Sequence, residues 1–212
     1  MKVAKKAKKN DKTKVIVLCS GGFDSVVLMH HVREMLGYDE EIYALFFDYG
    51  QRNVAMEREC SKKVALKLKA KWKDVKLPKF NWTSGEFYAN ENGGASPYLE
   101  YRNLIFLSYA FSIAQSLGAI EIYTGLYRML DGNYFLDGSP SFLSVMNCID
   151  PNIQVISPFM GGIKLSLIPL AKYFGITKND FFSCDSPVNG KPCGKCSDCK
   201  NIEEIYGKVL KS

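Results

Sequence analysis

The sequence predicts an α/β fold, a doubly wound and mainly parallel sheet, with a four-cysteine zinc motif near the C-terminus. Three observations predict it. Short β-branched apolar runs alternate with segments of helical periodicity, the pattern of repeated β-α units. A glycine pair, Gly21-Gly22, stands between the first apolar run and the first helical segment. Four cysteines, Cys184, Cys193, Cys196 and Cys199, follow the spacing Cys-x8-Cys-x2-Cys-x2-Cys.

The elements follow in order. Residues 14–20 form a short apolar run that reads as a buried strand, and residues 24–36 place Val27, Leu28, His31, Val32 and Leu36 at helical spacing. Residues 41–49 read as a second strand. Residues 52–71 read as a helix with Ala55, Glu59, Val64 and Leu68 among its inward or boundary positions. A third strand is expected at 73–77. Residues 78–100, rich in glycine, asparagine, serine and aromatics, read as a surface loop. Residues 102–117 are apolar on most sides, which predicts a buried helix closed by Gly118. Further strands are expected at 119–125 and 153–159, with a helix over 141–149 between them. A last helix over 165–174 ends at Gly175. Ligands of such sheets bind at the C-terminal edges of the strands.

At 212 residues and 47% hydrophobic content the chain can bury one sizeable core. No apolar run is long enough to span a bilayer. The net charge of +6 arises in the tail, because residues 1–14 hold seven lysines against one aspartate. A basic solvated tail (1–14), a nucleotide-binding unit (15–183) and a zinc motif with a C-terminal helix (184–212) are the expected divisions. The neutral body makes nucleic acid an unexpected partner; a zinc-containing nucleic-acid module rests on the tail alone.

Gly21-Gly22 at a strand-to-helix turn predicts an anion site, where backbone N–H groups and the helix dipole meet phosphate oxygens without a Cβ in the way. Ser20 and Ser25 add hydroxyls. The loop lacks the Gly-Lys-Ser/Thr ending of a Walker A loop and the Gly-x-Gly-x-x-Gly of dinucleotide binders. The two-residue cysteine spacers let thiolates converge on one tetrahedral ion, with Cys184 brought in by a turn at Pro187, Asn189, Gly190 and Pro192. With four thiolates the zinc is structural. A disulfide cluster is disfavoured because the lysine-rich start carries no secretory signal, so the expected location is cytoplasmic. Cys19, Cys60 and Cys148 read as small buried hydrophobes, and His30 and His31 as structural. Asp48, ending the second strand, can meet a nucleotide's ribose or adenine edge or cap a turn.

Ser20-Gly-Gly-Phe-Asp-Ser25 resembles the PP-loop of the adenine-nucleotide α-hydrolase-like ATP pyrophosphatases, a match that includes Phe23 and Asp24. Within that group, Phe46-Phe-Asp-Tyr-Gly-Gln-Arg52 and the cysteine ending are similar to the 7-cyano-7-deazaguanine synthase (QueC) family. The similarity runs from about Val15 to Cys199. Arg102-Asn103 resembles part of the family's Pro-Gly-Arg-Asn segment, and residues 134–142 its Tyr-Pro-Asp-Cys-Arg-Pro-Glu-Phe stretch. Lys164 falls where the family has a lysine entering a late helix. Residues 125–131 resemble its Gly-Val-Asn…Asp segment. The chain departs from the pattern at Glu100-Tyr101 and over 136–141, where the aspartate and proline are kept and the arginine and the acid are lost.

The resemblance implies an ATP-dependent ligase that turns 7-carboxy-7-deazaguanine and ammonia into 7-cyano-7-deazaguanine (preQ0), with Mg²⁺ accompanying ATP. It implies ATP contacts at the loop residues, substrate or catalytic roles for Arg102, Asn103, Asp131, Asp137 and Lys164, and a homodimer. A paralogue using the same adenylation on another acceptor, or stopping at the amide, is the alternative.

Overall fold

The computed structural model of the chain describes residues 12–78, 101–128 and 133–209. Five strands are found among them: β1 (Lys14–Leu18), β2 (Glu41–Asp48), β3 (Lys71–Lys76), β4 (Glu121–Tyr123) and β5 (Gln154–Ile156). They form one sheet in the order β3-β2-β1-β4-β5, each neighbouring pair parallel. The helices described are α1 (Phe23–Leu36), α2 (Val54–Lys67), α3 (Arg102–Leu117), α4 (Pro140–Met146), α5 (Ile168–Tyr173) and α6 (Ser197–Val209). No described helix is long and apolar enough to cross a membrane.

Alternation along β1 and β2 builds two cores, because successive side chains leave a strand on opposite faces. Val15 and Val17 of β1, with Ile42 and Ala44 of β2, pack under α1, α2 and α5. Ile16, Tyr43, Leu45 and Phe47 pack under α3 and α4, where Leu107, Ala110, Phe111, Ala114 and Met146 close the second layer. The doubly wound reading thus holds, and helices cover both faces. Strand order reverses between β1 and β4, so their connections leave in opposite directions and open a crevice at the strands' C-terminal ends.

Three expectations about burial are corrected. In α2, Ala55 and Glu59 are exposed, and Ser61, Val64 and Ala65 are the buried positions. The helix is rotated so that the Ser61 hydroxyl donates to the Cys19 carbonyl at 2.7 Å, behind the glycine turn. The α3 helix is one-sided: Leu104 and Tyr109 are exposed although the segment is apolar almost throughout. Cys19 is buried, whereas Cys60 is half-buried and Cys148, in the turn beyond α4, is exposed. His30 is buried and stacks on Phe174, in keeping with a structural role. Strand edges shift by one to three residues, and the late helix begins as a tighter turn over Lys164–Leu167. The loop at 79–100 and the tail at 1–11 lie outside the described residues.

Candidate active site: a convergent cavity beside a four-cysteine knot

The loop after β1 is held open by what lies behind it. Gly21 has φ +85°, and a Cβ there would sit 2.2 Å from the Glu57 carbonyl oxygen and 2.8 Å from the Ser61 nitrogen. Only glycine tolerates both the left-handed backbone and the close approach of α2. Three successive amides of the turn end on hydroxyls. Gly21 N–H donates to Ser25 Oγ at 3.0 Å, Gly22 N–H to Ser20 Oγ at 3.3 Å, and Phe23 N–H to Ser183 Oγ at 3.1 Å. The Phe23 ring turns away into the core, edge-on to Phe181 at 5.2 Å, and anchors the start of α1.

The turn forms one wall of a cavity of about 280 Å³ at the β1/β4 crevice. Ser20, Gly22, Asp24 and Ser25 line it, whereas Gly21 and Phe23 stand behind the surface. Lys164 reaches in from the turn before α5 and pairs with Asp24 Oδ2 and with Asp198 Oδ1, each at 3.5 Å. Tyr127 donates its hydroxyl to Asp24 Oδ2 at 3.2 Å. Burial pushes the Asp24 carboxyl up, and the Lys164 charge pulls it back. Burial alone would lower the Lys164 ammonium; Asp24, Tyr127 and Asp198 reverse that and hold it protonated. Asp24 Oδ1 is buried with no hydrogen-bond partner among the described residues.

Arg102 and Asn103 also line the cavity. Burial opposes the Arg102 charge, and Tyr49, which shares a hydrogen bond with it, together with Glu57 and Asp137 more than restores it. Asp137 is buried behind the wall, where its carboxylate accepts the Asn103 N–H at 2.9 Å while its carbonyl accepts from Asn103 Nδ2 at 3.0 Å. It therefore fixes the start of α3, and an acid suits a helix N-terminus. Asp48 lies outside the cavity lining; it pairs with Arg58 and accepts the Gly50 N–H at 3.1 Å. Asp131 lies outside the described residues.

Several lining residues carry no signal in the sequence. Glu57, whose carboxyl burial pushes up to about 7, accepts from Gln51 Nε2 at 3.2 Å. Asp185 is likewise pushed up to about 7, by burial and by its neighbour Asp198. Phe47 and Phe106 stack at 4.7 Å with nearly parallel rings, and form an apolar platform with Tyr49. Ser183, Asp185 and Asp198 could have been noticed as sequence neighbours of Cys184 and Cys199, but nothing in the spacing says that they face a cavity.

The four sulfurs of Cys184, Cys193, Cys196 and Cys199 all lie within 4.8 Å of one another, and two pairs stand at 4.0 Å. A tetrahedral ion with Zn–S bonds of about 2.3 Å separates its sulfurs by roughly 3.8 Å, so the set fits one zinc ion. Backbone N–H groups of Lys195 and Cys196 point at Cys193 Sγ at 3.4 and 3.3 Å and draw that thiol down to about 6. The hairpin that returns Cys193 to Cys184 turns at Asn189 and Gly190, both at positive φ, with Val188 and Lys191 paired across it.

Comparison with known proteins agrees with this architecture. Among solved structures, the U34-tRNA thiolase NcsA from Methanococcus maripaludis superposes with a TM-score of 0.58 at 14% identity, over 94% of this chain and 68% of that one. A 4-thiouridine synthetase in complex with RNA and ATP gives 0.52 at 18% identity, over 94% and 51%. At such identities the likeness concerns the fold. Among curated sequences, the 7-cyano-7-deazaguanine synthase of Leptospira interrogans is 31% identical over 206 residues, covering 88% of this chain and 83% of the relative. That of Methanoculleus marisnigri is 29% identical over 217 residues, covering 92% and 95%. The family model described as queuosine biosynthesis protein QueC matches residues 14–209, and the chain belongs to that family.

Proposed function

We propose that this protein is an ATP-dependent 7-cyano-7-deazaguanine synthase, a C–N ligase that makes preQ0 from 7-carboxy-7-deazaguanine and ammonia. The observation that carries the reading is convergence. The serine-lined turn, the Lys164 and Arg102 cations and the Phe47–Phe106 platform open into one cavity, in a chain whose curated relatives bear that name.

In this reading the phosphate chain of ATP lies along Ser20, Gly22 and Ser25, with Lys164 supplying positive charge beside it. The substrate carboxylate attacks the α-phosphorus, the bond to the β-phosphate oxygen breaks, and pyrophosphate leaves from an acyl-adenylate. Asp24, through its unpaired Oδ1, and Asp198 are the residues that would hold a magnesium ion, which when bound with ATP neutralises charge on the leaving group. Arg102 holds the substrate carboxylate in line, and the aromatic platform takes the flat deazapurine. Ammonia then adds to the acyl carbon and AMP departs, leaving the amide. The amide oxygen attacks the α-phosphorus of a second ATP and pyrophosphate leaves; loss of AMP and two protons then gives the nitrile. No side-chain nucleophile is required, so the protein contributes positioning and preorganised charge. A zinc ion at the four cysteines, with no open coordination position, holds structure. The cysteines suit a reducing cytoplasm.

The test is product mass and AMP release from purified protein, ATP, magnesium, ammonium and 7-carboxy-7-deazaguanine. The expected product is the nitrile, with one AMP for each of the two activations. An amide with a single AMP would replace this reading by a shortened reaction. That variant would have its origin in the altered 136–141 stretch, where Gly138 borders the cavity. No AMP would remove adenylation of this substrate altogether.

A further inference from the structure

Two of the hydroxyls that meet the turn's amides come from the turn itself. The third, Ser183, lies 160 residues later and immediately precedes the first cysteine of the knot. The segment that carries it is tied down on both sides of Ser183, to the turn by Phe182 and to Asn53, the residue before α2, by Cys184. Phe182 N–H donates to the Gly21 carbonyl at 2.9 Å, and Asn53 Nδ2 donates to the Cys184 carbonyl at 3.1 Å. The three hydroxyls differ in what they do with their own protons. Ser25 can donate to the Gly22 carbonyl at 3.0 Å, and Ser20 to Ser25 at 3.2 Å. Among the described residues, Ser183 accepts from Phe23 and donates to nothing, while bordering the cavity. A hydroxyl that accepts an N–H bond keeps its proton to give, and an anionic oxygen is the strongest acceptor that could enter here.

We propose that Ser183 donates to the phosphate chain of the bound nucleotide, and that a metal ion at the four cysteines, by fixing Cys184, sets this hydroxyl in place. Metal and phosphate then bind cooperatively. The proposal rests on the reading above that the turn takes the phosphates of ATP. Coupling between two sites is reciprocal, so phosphate retains the metal by the factor with which the metal strengthens phosphate binding.

The experiment uses the full-length, metal-loaded protein and inorganic pyrophosphate as the probe. Ser183→Ala is expected to keep its zinc content and melting temperature and to bind pyrophosphate about tenfold more weakly by calorimetry. Ser183→Thr, which keeps a hydroxyl, should restore most of the affinity. Pyrophosphate should slow release of zinc to a chromogenic chelator several-fold in the wild type and have no such effect in Ser183→Ala. Equal pyrophosphate affinity in wild type and Ser183→Ala would overturn the proposal, as would equal protection of the metal in both. A wild type that binds neither pyrophosphate nor ATP would instead overturn the reading of the turn as a phosphate site, and this proposal with it.

Discussion

Gly21 and Glu57 show how single residues are constrained from behind the cavity as much as from within it. The Cβ of a Gly21→Ala variant would collide with the backbone of α2 while occupying a left-handed conformation. The expected cost is about 2–5 kcal/mol of stability, summing backbone strain and overpacking. Nucleotide binding should be lost with it; a folded variant of wild-type Tm would contradict the packing argument. Glu57 raises a pH question. Its carboxyl is pushed from an ordinary 4.5 to about 7 by burial. An acid raised on folding holds more protons in the native than in the unfolded state, so its ionisation opposes folding progressively between those two values. Glu57→Gln should therefore stabilise the protein near pH 8 and do little near pH 5. Denaturant melts showing the same effect at both would remove Glu57 as the source. Lys164 is held charged by Asp24 and Asp198, so Lys164→Met should abolish AMP formation; turnover close to wild type would exclude it from phosphate binding.

At the scale of elements, Arg33 secures the end of α1. Its Nε donates to the Leu68 carbonyl at 2.9 Å and its Nη1 to the Gly37 carbonyl at 2.6 Å; it also reaches the Glu40 and Lys69 carbonyls. One side chain thereby satisfies carbonyls at the ends of two helices that flank the cavity turn. Arg33→Met should cost about 2–4 kcal/mol in urea denaturation, because the buried Leu68 carbonyl and three part-buried carbonyls lose their donor at once. A loss under half a kcal/mol would show that water replaces it. The short α4 depends on a local device: Ser139 accepts the Phe142 N–H at 3.1 Å, followed by Pro140 in the first turn. Both features are legible in sequence as a cap and a proline. By contrast, the rotation of α2 is not, because it follows from the contact of Ser61 with the turn rather than from the helix's own apolar pattern.

At the scale of the molecule, the cavity is an assembly of distant segments. Strand β1 and the start of α1 provide the turn, α3 brings Arg102, the turn before α5 brings Lys164, and the cysteine knot brings Ser183, Asp185 and Asp198. Closing the knot therefore organises the site as well as the C-terminal segment. Cys196→Ser should bind no stoichiometric zinc by elemental analysis and should lower the Tm by several degrees; a metal-free variant of unchanged Tm would make the knot dispensable. The sequence by itself determined the parallel α/β class, the placement of the glycine turn, the cysteine set and the resemblance that the family comparison confirms. These are encoded locally, in two-fold and 3.6-fold periodicity and in short spacings. Only the tertiary structure decided that Asp48 engages Arg58, that Asp137 secures α3, and that Ser183, Glu57 and Asp185 border the cavity. The Asp48 pair depends on how α2 packs beside β2, and the cavity lining on which chain segments meet at the reversal of strand order between β1 and β4; no local pattern records such meetings.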